Sequence, residues 1–180
     1  MTAQAVLLTG GQGVGKTTLG QAIGRLLTSR QHSTGVLDLD AVAQFGPAGS
    51  PGPAIAGRPL PGGLRFHDQL RVHNLAAVWT TYRDAGARFL VVSGPVDTAD
   101  HRAAYASALP DCDVQVVRVV TPPDLIAERT RTTRGPGWSL QAALDEAANH
   151  QPIQDHTVTN DRTPAEAAAE IVGKLGWPAD

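Results

Sequence analysis

The sequence predicts a three-layer α/β/α fold built on a five-stranded parallel sheet with helices on both faces. Two observations predict it. Short apolar runs alternate with stretches of helical periodicity along most of the 180 residues, the pattern of a doubly wound α/β chain. The first of those runs is continuous rather than alternating in polarity, as in a strand buried on both faces, and it leads through a glycine-rich turn into a helix.

Ala5–Thr9 is the first strand, ending in glycines. Lys16 to about Arg30 follows as a helix, with Leu19, Ile23, Leu26 and Leu27 at helical spacing. Gly35–Asp40 reads as a second strand that stops on acidic residues. Phe45 to Gly63 is rich in Gly and Pro, so neither a regular helix nor a central strand fits there. A loop of that length in a compact domain is usually either functional or disordered, and the functional reading is favoured here. Phe66–Ala85 is helical, with Leu70, Leu75, Val78, Trp79 and Tyr82 on one apolar face and Gly86 as its stop. Arg88–Ser93 is the third strand, Thr98–Leu109 a helix and Val114–Val120 the fourth strand. Thr121-Pro122-Pro123-Asp124 opens the next helix, with Thr121 as the expected N-cap, proline in the first turn and Asp124 reaching back. Arg129–Trp138 is a basic turn containing Gly and Pro. Ser139–His150 is helical, Thr157–Thr159 the last strand, and Thr163-Pro164-Ala165-Glu166 the capping box of the final helix. No internal repeat occurs, and the whole chain reads as one domain, residues 1–180.

Composition narrows the function. A net charge of −2 is near zero and suggests no nucleic-acid or membrane-surface partner. No run approaches the ~18 apolar residues of a membrane span, and the N-terminus lacks a basic, apolar leader, so the expectation is a cytoplasmic protein. Cys112 is the single cysteine, which rules out a disulfide framework; in Pro110-Asp111-Cys112-Asp113 it reads as filler in a surface turn. His67, His73, His101, His150 and His156 lack metal-ligand spacing and read as surface or core residues. Lys16 and Lys174 are the only lysines, so a lysine inside a glycine-rich turn calls for explanation.

Gly10-Gly11-Gln12-Gly13-Val14-Gly15-Lys16-Thr17 supplies it. A glycine, four residues, then Gly-Lys-Thr, between a strand and a helix, is the phosphate-binding loop pattern. Glycines let successive N–H groups curl inward at anionic oxygens, and the helix N-terminus adds positive charge. The nucleotide-binding set is Gly11, Gly13, Val14, Gly15, Lys16, Thr17 and Thr18. Lys16 reaches the β and γ phosphates, and the Thr17 hydroxyl binds Mg²⁺. Two further segments lie where ligands gather in such sheets. Asp38-Leu39-Asp40 ends the second strand, with both carboxylates expected on one side of it. Arg129, Arg131 and Arg134 precede the mobile turn Gly135-Pro136-Gly137; guanidinium groups stabilise the charge that spreads during phosphoryl transfer.

These three segments resemble the small P-loop kinases: the nucleoside monophosphate kinases and the shikimate, gluconate and adenylylsulfate kinases. The resemblance covers most of the chain as topology. It implies strand order 2-3-1-4-5, a lid at about 129–138 and phosphoryl transfer from ATP. It assigns Asp38 with Thr17 to the metal, and Asp40 to the acceptor hydroxyl. It also places Arg129 on the adenine and the Asn160–Pro164 backbone at the adenine edge. Residues 41–65 have no counterpart and form an acceptor-side insertion. Arg58, Arg65 and Arg71 flank that side and can meet a substrate anion.

Other P-loop classes fit less well. Asp97 lies four residues past Ser93 and beyond a Gly-Pro turn, the wrong place for the metal aspartate of motor and transport ATPases. Thr159-Asn160-Asp161-Arg162 lacks the guanine-reading Asn-Lys-x-Asp. The chain is also short for an ATPase with extra subdomains. The reading is an ATP- and Mg²⁺-dependent kinase acting on a hydroxyl of a small-molecule acceptor. The catalytic residues are Lys16, Asp40, Arg129, Arg131 and Arg134, and the fold leaves room for a homodimer. Two alternatives stay open: a nucleoside monophosphate kinase, and a nucleotide-binding regulatory protein without turnover.

Overall fold

The computed structural model describes residues 2–45, 64–131, 139–148 and 151–178. Its strands are β1 (Ala3–Thr9), β2 (Thr34–Asp38), β3 (Phe89–Ser93), β4 (Cys112–Val120) and β5 (His156–Thr159). Every neighbouring pair is parallel, in the order β2-β3-β1-β4-β5, the order that the resemblance implied. The helices are α1 (Lys16–Ser29), α2 (Phe66–Asp84), α3 (Ala99–Ala108), α4 (Pro123–Thr130), α5 (Leu140–Ala148) and α6 (Pro164–Lys174).

β1 is the centre of the molecule, and Ala5 through Thr9 are wholly inaccessible. Successive side chains on a strand face opposite ways, which here separates two cores. Val6 and Leu8 pack with Leu19, Ile23 and Leu27 of α1 and Ile171 and Val172 of α6. Ala5 and Leu7 pack with Leu75 and Trp79 of α2 and Tyr105 of α3. Helices therefore cover both faces of the sheet. α1 lies close against its face, since a Cβ at Gly24 would stand 2.3 Å from Val36 Cγ2. α6 begins with the expected capping box: Thr163 accepts from the Glu166 N–H, and the Glu166 carboxylate accepts from the Thr163 N–H.

Three local expectations change. β2 ends at Asp38 rather than Asp40, because Asp38 Oδ1 accepts from the N–H groups of Asp40 (2.9 Å) and Ala41 (3.2 Å). That side-chain turn bends the chain into a single 3₁₀ turn, Ala41–Ala43. α4 starts after Pro122 with no side-chain cap, because the Thr121 hydroxyl donates to Val14 O instead, at 3.0 Å. Cys112 is the first residue of β4 and half-buried rather than part of a surface turn. Most of the expected insertion (46–63) and lid (132–138), with Arg58 and Arg134, lies outside the described residues, as does His150. Among the described residues no helix is long and apolar enough to cross a membrane.

Candidate active site

The turn between β1 and α1 has a backbone only glycine supplies at two of its corners. Gly10 and Gly15 have φ of 139° and 94°. A Cβ at Gly10 would stand 2.3 Å from Val119 O, and one at Gly15 2.6 Å from Asn160 Nδ2. Gly15 is the N-cap of α1 and no side chain caps that helix, which leaves its first N–H groups to an incoming anion. Lys16 Nζ donates to Gly10 O (2.7 Å) and Gly11 O (3.0 Å), so the ammonium arches over its own loop.

The loop is held from beneath. Val14 is buried, and its carbonyl accepts from Thr121 Oγ1 at 3.0 Å and Asn160 Nδ2 at 2.8 Å. These side chains follow the ends of β4 and β5, so two strands fix the loop's height. Asn160 is itself anchored, its N–H donating to Val120 O at 2.8 Å. Its carbonyl accepts from Arg129 Nη1 at 3.0 Å, which ties α4 to the loop after β5.

Asp38 gathers the next set of bonds. Its Oδ2 accepts from Thr17 Oγ1 (2.6 Å) and Ser93 Oγ (3.2 Å), and its Oδ1 from the two backbone N–H groups beyond β2. Burial alone would raise its pKa. The hydrogen bonds from Thr17, Ala41, Ser93 and Asp40 outweigh burial and hold it below the ordinary 3.8. The hydroxyl and carboxylate are hard oxygen donors of the kind Mg²⁺ takes alongside phosphate oxygens, so the residues present fit a magnesium nucleotide.

Asp40 leaves β2 by the Asp38 turn. The two carboxylates reach one cavity through that bend, not by sharing a strand face. Asp40 Oδ1 accepts from Arg71 Nη2 at 2.7 Å, and the same guanidinium's Nη1 donates to Asp68 Oδ1 at 2.8 Å. Asp68 Oδ2 lies 3.5 Å from His101 Nε2. Asp68 is only 8% exposed; its hydrogen bond with His101 first, and then the charges of His101 and Arg71, overcome burial and lower its pKa. For Arg71, burial pulls the pKa down but the Asp40 carboxylate more than restores it, and the net shift is upward.

No protein-family model matches the chain, and no curated protein matches it in sequence. Solved structures do match in shape. The tunicamycin resistance protein of Deinococcus radiodurans superposes with a TM-score of 0.65 at 18% identity, over 98% of this chain and 97% of that one. A sugar kinase from a Janibacter species gives 0.66 at 17% identity, over 98% and 96%. The APS kinase of Mycobacterium tuberculosis, in complex with AMPPNP and APS, gives 0.63 at 23% identity, over 97% and 98%. The fold is that of the small P-loop kinases.

In this P-loop kinase fold one cavity of about 1040 Å³ opens at the C-terminal ends of the strands. Of the residues singled out in the sequence, Gly13, Gly15, Lys16, Thr17, Thr18, Asp38, Asp40, Arg65, Arg71 and Arg129 line it. Gly11 and Val14 do not line it; they serve the loop through their carbonyls. Arg131 is exposed at the end of α4 and is not among the lining residues. Arg71, expected to meet a substrate anion, donates from Nη2 to Asp40 and from Nη1 to Asp68, and its Nε is buried with no hydrogen-bond partner among the described residues. Ser93, Asp68, Asp97, Asp100 and His101 also line the cavity; none was named as a site residue from the sequence, where His101 was read as surface or core and Asp97 as misplaced for a metal aspartate. Asp68 carries a legible signal: with Val72, Leu75 and Trp79 it forms the buried stripe of α2. A carboxylate in an apolar stripe marks a paired group.

Proposed function

We propose that the protein is an ATP- and Mg²⁺-dependent kinase that phosphorylates a hydroxyl of a small molecule. The observation that carries this is one cavity holding both halves of the chemistry: the loop with its Thr17–Asp38 pair at one end, and Asp40 at the other. Bound ATP with Mg²⁺ would supply the phosphoryl group and neutralise charge on it. Lys16 and the loop amides bind and orient the phosphates. Thr17 and Asp38 form the metal's seat. Asp40 orients the acceptor hydroxyl and takes its proton; Arg71 binds only its Oδ1, and Oδ2 has no hydrogen-bond partner among the described residues. Arg129, with Arg131 and Arg134 on the lid, brings positive charge to the transferring group and excludes water on closure. The chain acts as one kinase domain, with 41–65 choosing the acceptor.

The test is a mass-shift screen for phosphorylated products with ATP, Mg²⁺ and a panel of alcohols, sugars, nucleosides and nucleotides. Lys16→Ala abolishes the products together with phosphate binding. Asp40→Asn cuts turnover and leaves ATP affinity near that of the parent protein. Normal turnover by Asp40→Asn with the true acceptor would refute the role given to Asp40.

A further inference from the structure

Asp40, unlike Asp38, is held at a single point. It opens the 3₁₀ turn after β2, and its side chain is 62% exposed, so packing does not fix its rotamer. Among the described residues its carboxylate receives one hydrogen bond, from Arg71 Nη2 at 2.7 Å. A proton acceptor must stand within hydrogen-bond reach of the hydroxyl it serves, and a misplacement of about 1 Å can cost about 10²-fold in rate. Whatever fixes Arg71 therefore fixes Asp40.

A free arginine side chain samples many rotamers. Its guanidinium is planar, so a bond at Nη1 sets the direction of Nη2. In Arg71 that bond goes to Asp68 Oδ1 at 2.8 Å, while Nε has no hydrogen-bond partner among the described residues. Asp68 is a rigid post. It lies in the buried stripe of α2 with Val72, Leu75 and Trp79, and its Oδ2 is 3.5 Å from His101 Nε2. His101 Nδ1 accepts from the Asp97 N–H at 3.4 Å, which places the proton of a neutral imidazole on Nε2, facing Asp68. The buried ring of Tyr105 backs that imidazole, with centroids 6.3 Å apart. One chain of contacts thus runs from α3 through α2 to the turn after β2: His101, Asp68, Arg71, Asp40. Stability alone does not call for a charge at position 68. Replacing a buried ion pair by packed apolar groups is often neutral or stabilising, and an apolar residue there would complete the stripe.

We infer that Asp68 is a positioning residue for phosphoryl transfer: braced by His101, it fixes Arg71, and Arg71 holds Asp40 by Oδ1 so that Oδ2 faces the acceptor hydroxyl. This rests on the kinase reading above and deepens it. Both oxygens of Asp68 are engaged within the protein, so it acts through Arg71. The role leaves Arg71 able to meet a substrate as well, since each Nη carries a second N–H.

The experiment has two arms on the intact protein. The first needs no acceptor: nitrogen-15 NMR follows rotation of the Arg71 guanidinium about Nε–Cζ with AMPPNP and Mg²⁺ bound. Asp68→Ala should speed that rotation about tenfold, the equivalent of one charged hydrogen bond; an unchanged rate overturns the inference and leaves the kinase reading standing. Asp68→Asn, which keeps the shape, repeats the arm if the alanine protein does not fold. The second arm measures kcat and the KM for ATP on the acceptor that yields most product in the panel of alcohols, sugars, nucleosides and nucleotides. Asp68→Ala should lower kcat about tenfold and leave the KM for ATP unchanged. In an Arg71→Ala background the same substitution should lower kcat by no more than about twofold further, because the link it acts through is already cut. An equal loss in both backgrounds, or a normal kcat in Asp68→Ala, gives Asp68 a structural role only and overturns the inference. Intact binding of AMPPNP with no product from any acceptor overturns the kinase reading, and the inference falls with it.

Discussion

Thr17 of the glycine-rich loop and Asp38 at the end of β2 are joined by a 2.6 Å hydrogen bond across 21 residues of sequence. The bond ties the phosphate loop to the strand that delivers Asp40. Asp38 also accepts from Ser93 and from two backbone N–H groups, so every partner is a donor. Asparagine at this position presents an NH₂ to at least one of them. Asp38→Asn should therefore lower turnover about 10- to 100-fold, the cost typical of disturbing the groups around a metal site. The Mg²⁺ concentration for half-maximal rate should rise in step. A magnesium titration of steady-state rate checks this, and an unchanged titration would remove Asp38 from the metal's seat.

The same hydrogen bonds make stability depend on acid. Asp38 and Asp68 both have pKa values below the ordinary 3.8 in the folded chain. A depressed folded pKa means the unfolded chain binds the proton more readily. The stabilisation from these groups is complete above the unfolded value and is lost as pH falls through 3.8 and towards the folded values. Urea denaturation at pH 7 and pH 3 should show a loss in the parent protein that is smaller in Asp38→Asn, since asparagine does not titrate. Equal losses would mean the Asp38 bonds contribute nothing to the acid limb.

How far the sequence carried these conclusions depends on which residues acted locally. The loop was legible because Gly15-Lys16-Thr17 has one meaning between a strand and a helix, and α2 was placed within one residue by its apolar face and Gly86. Asp38 and Asp40 were found, but not their geometry. The turn that separates them is set by the Asp38 side chain, and spacing along a strand is blind to it. Thr121 looked like an N-cap because Thr-Pro-Pro-Asp is the local pattern of one; its hydroxyl is claimed by Val14, 107 residues earlier. His101 and Ser93 had no local signal, since their partners come from other elements. Asp68 did have one, a charge within the stripe of Val72, Leu75 and Trp79.

Gly94 follows β3 beside Leu39, the residue between the two carboxylates. A Cβ there would stand 2.7 Å from Leu39 Cβ, an atom too close to the backbone to swing away. Leu39 is fully buried, and its N–H donates to Ser93 O at 2.8 Å. Gly94→Ala should cost about 1–3 kcal/mol, as overpacking does, and should shift Asp38 and Asp40 with Leu39. Urea denaturation reads the first effect and the KM for acceptor the second. Full stability in Gly94→Ala would show that this packing yields easily.

Cys112 should be a poor nucleophile. Burial first, and then the Asp111 charge, push its thiol up to about 11. About one molecule in a thousand then carries the thiolate at pH 8, against roughly a quarter for an ordinary cysteine. Iodoacetamide should label the native protein far more slowly than the urea-unfolded chain, with a rate still climbing above pH 10. A native rate that levels off below pH 9 would place the thiol in a different environment.

The loop's support makes the sharpest separation of stability from binding. Val14 O accepts from both Thr121 and Asn160, while Asn160 Oδ1 is buried with no hydrogen-bond partner among the described residues. Asn160→Ala removes one donor, at a cost of about 1 kcal/mol, and also removes that unpaired acceptor, which offsets part of it. The folded chain should tolerate alanine, yet the loop loses one of two fastenings, and AMPPNP affinity should fall severalfold. Asn160→Asp keeps the shape and replaces the donor by a carboxylate oxygen facing a carbonyl. It should cost several kcal/mol through a buried, unpaired charge, and should weaken AMPPNP binding much more than alanine does. Calorimetric titration of AMPPNP into both variants decides it. Equal affinity in the aspartate and alanine proteins would mean that the Asn160 bond to Val14 does not set the position of the loop.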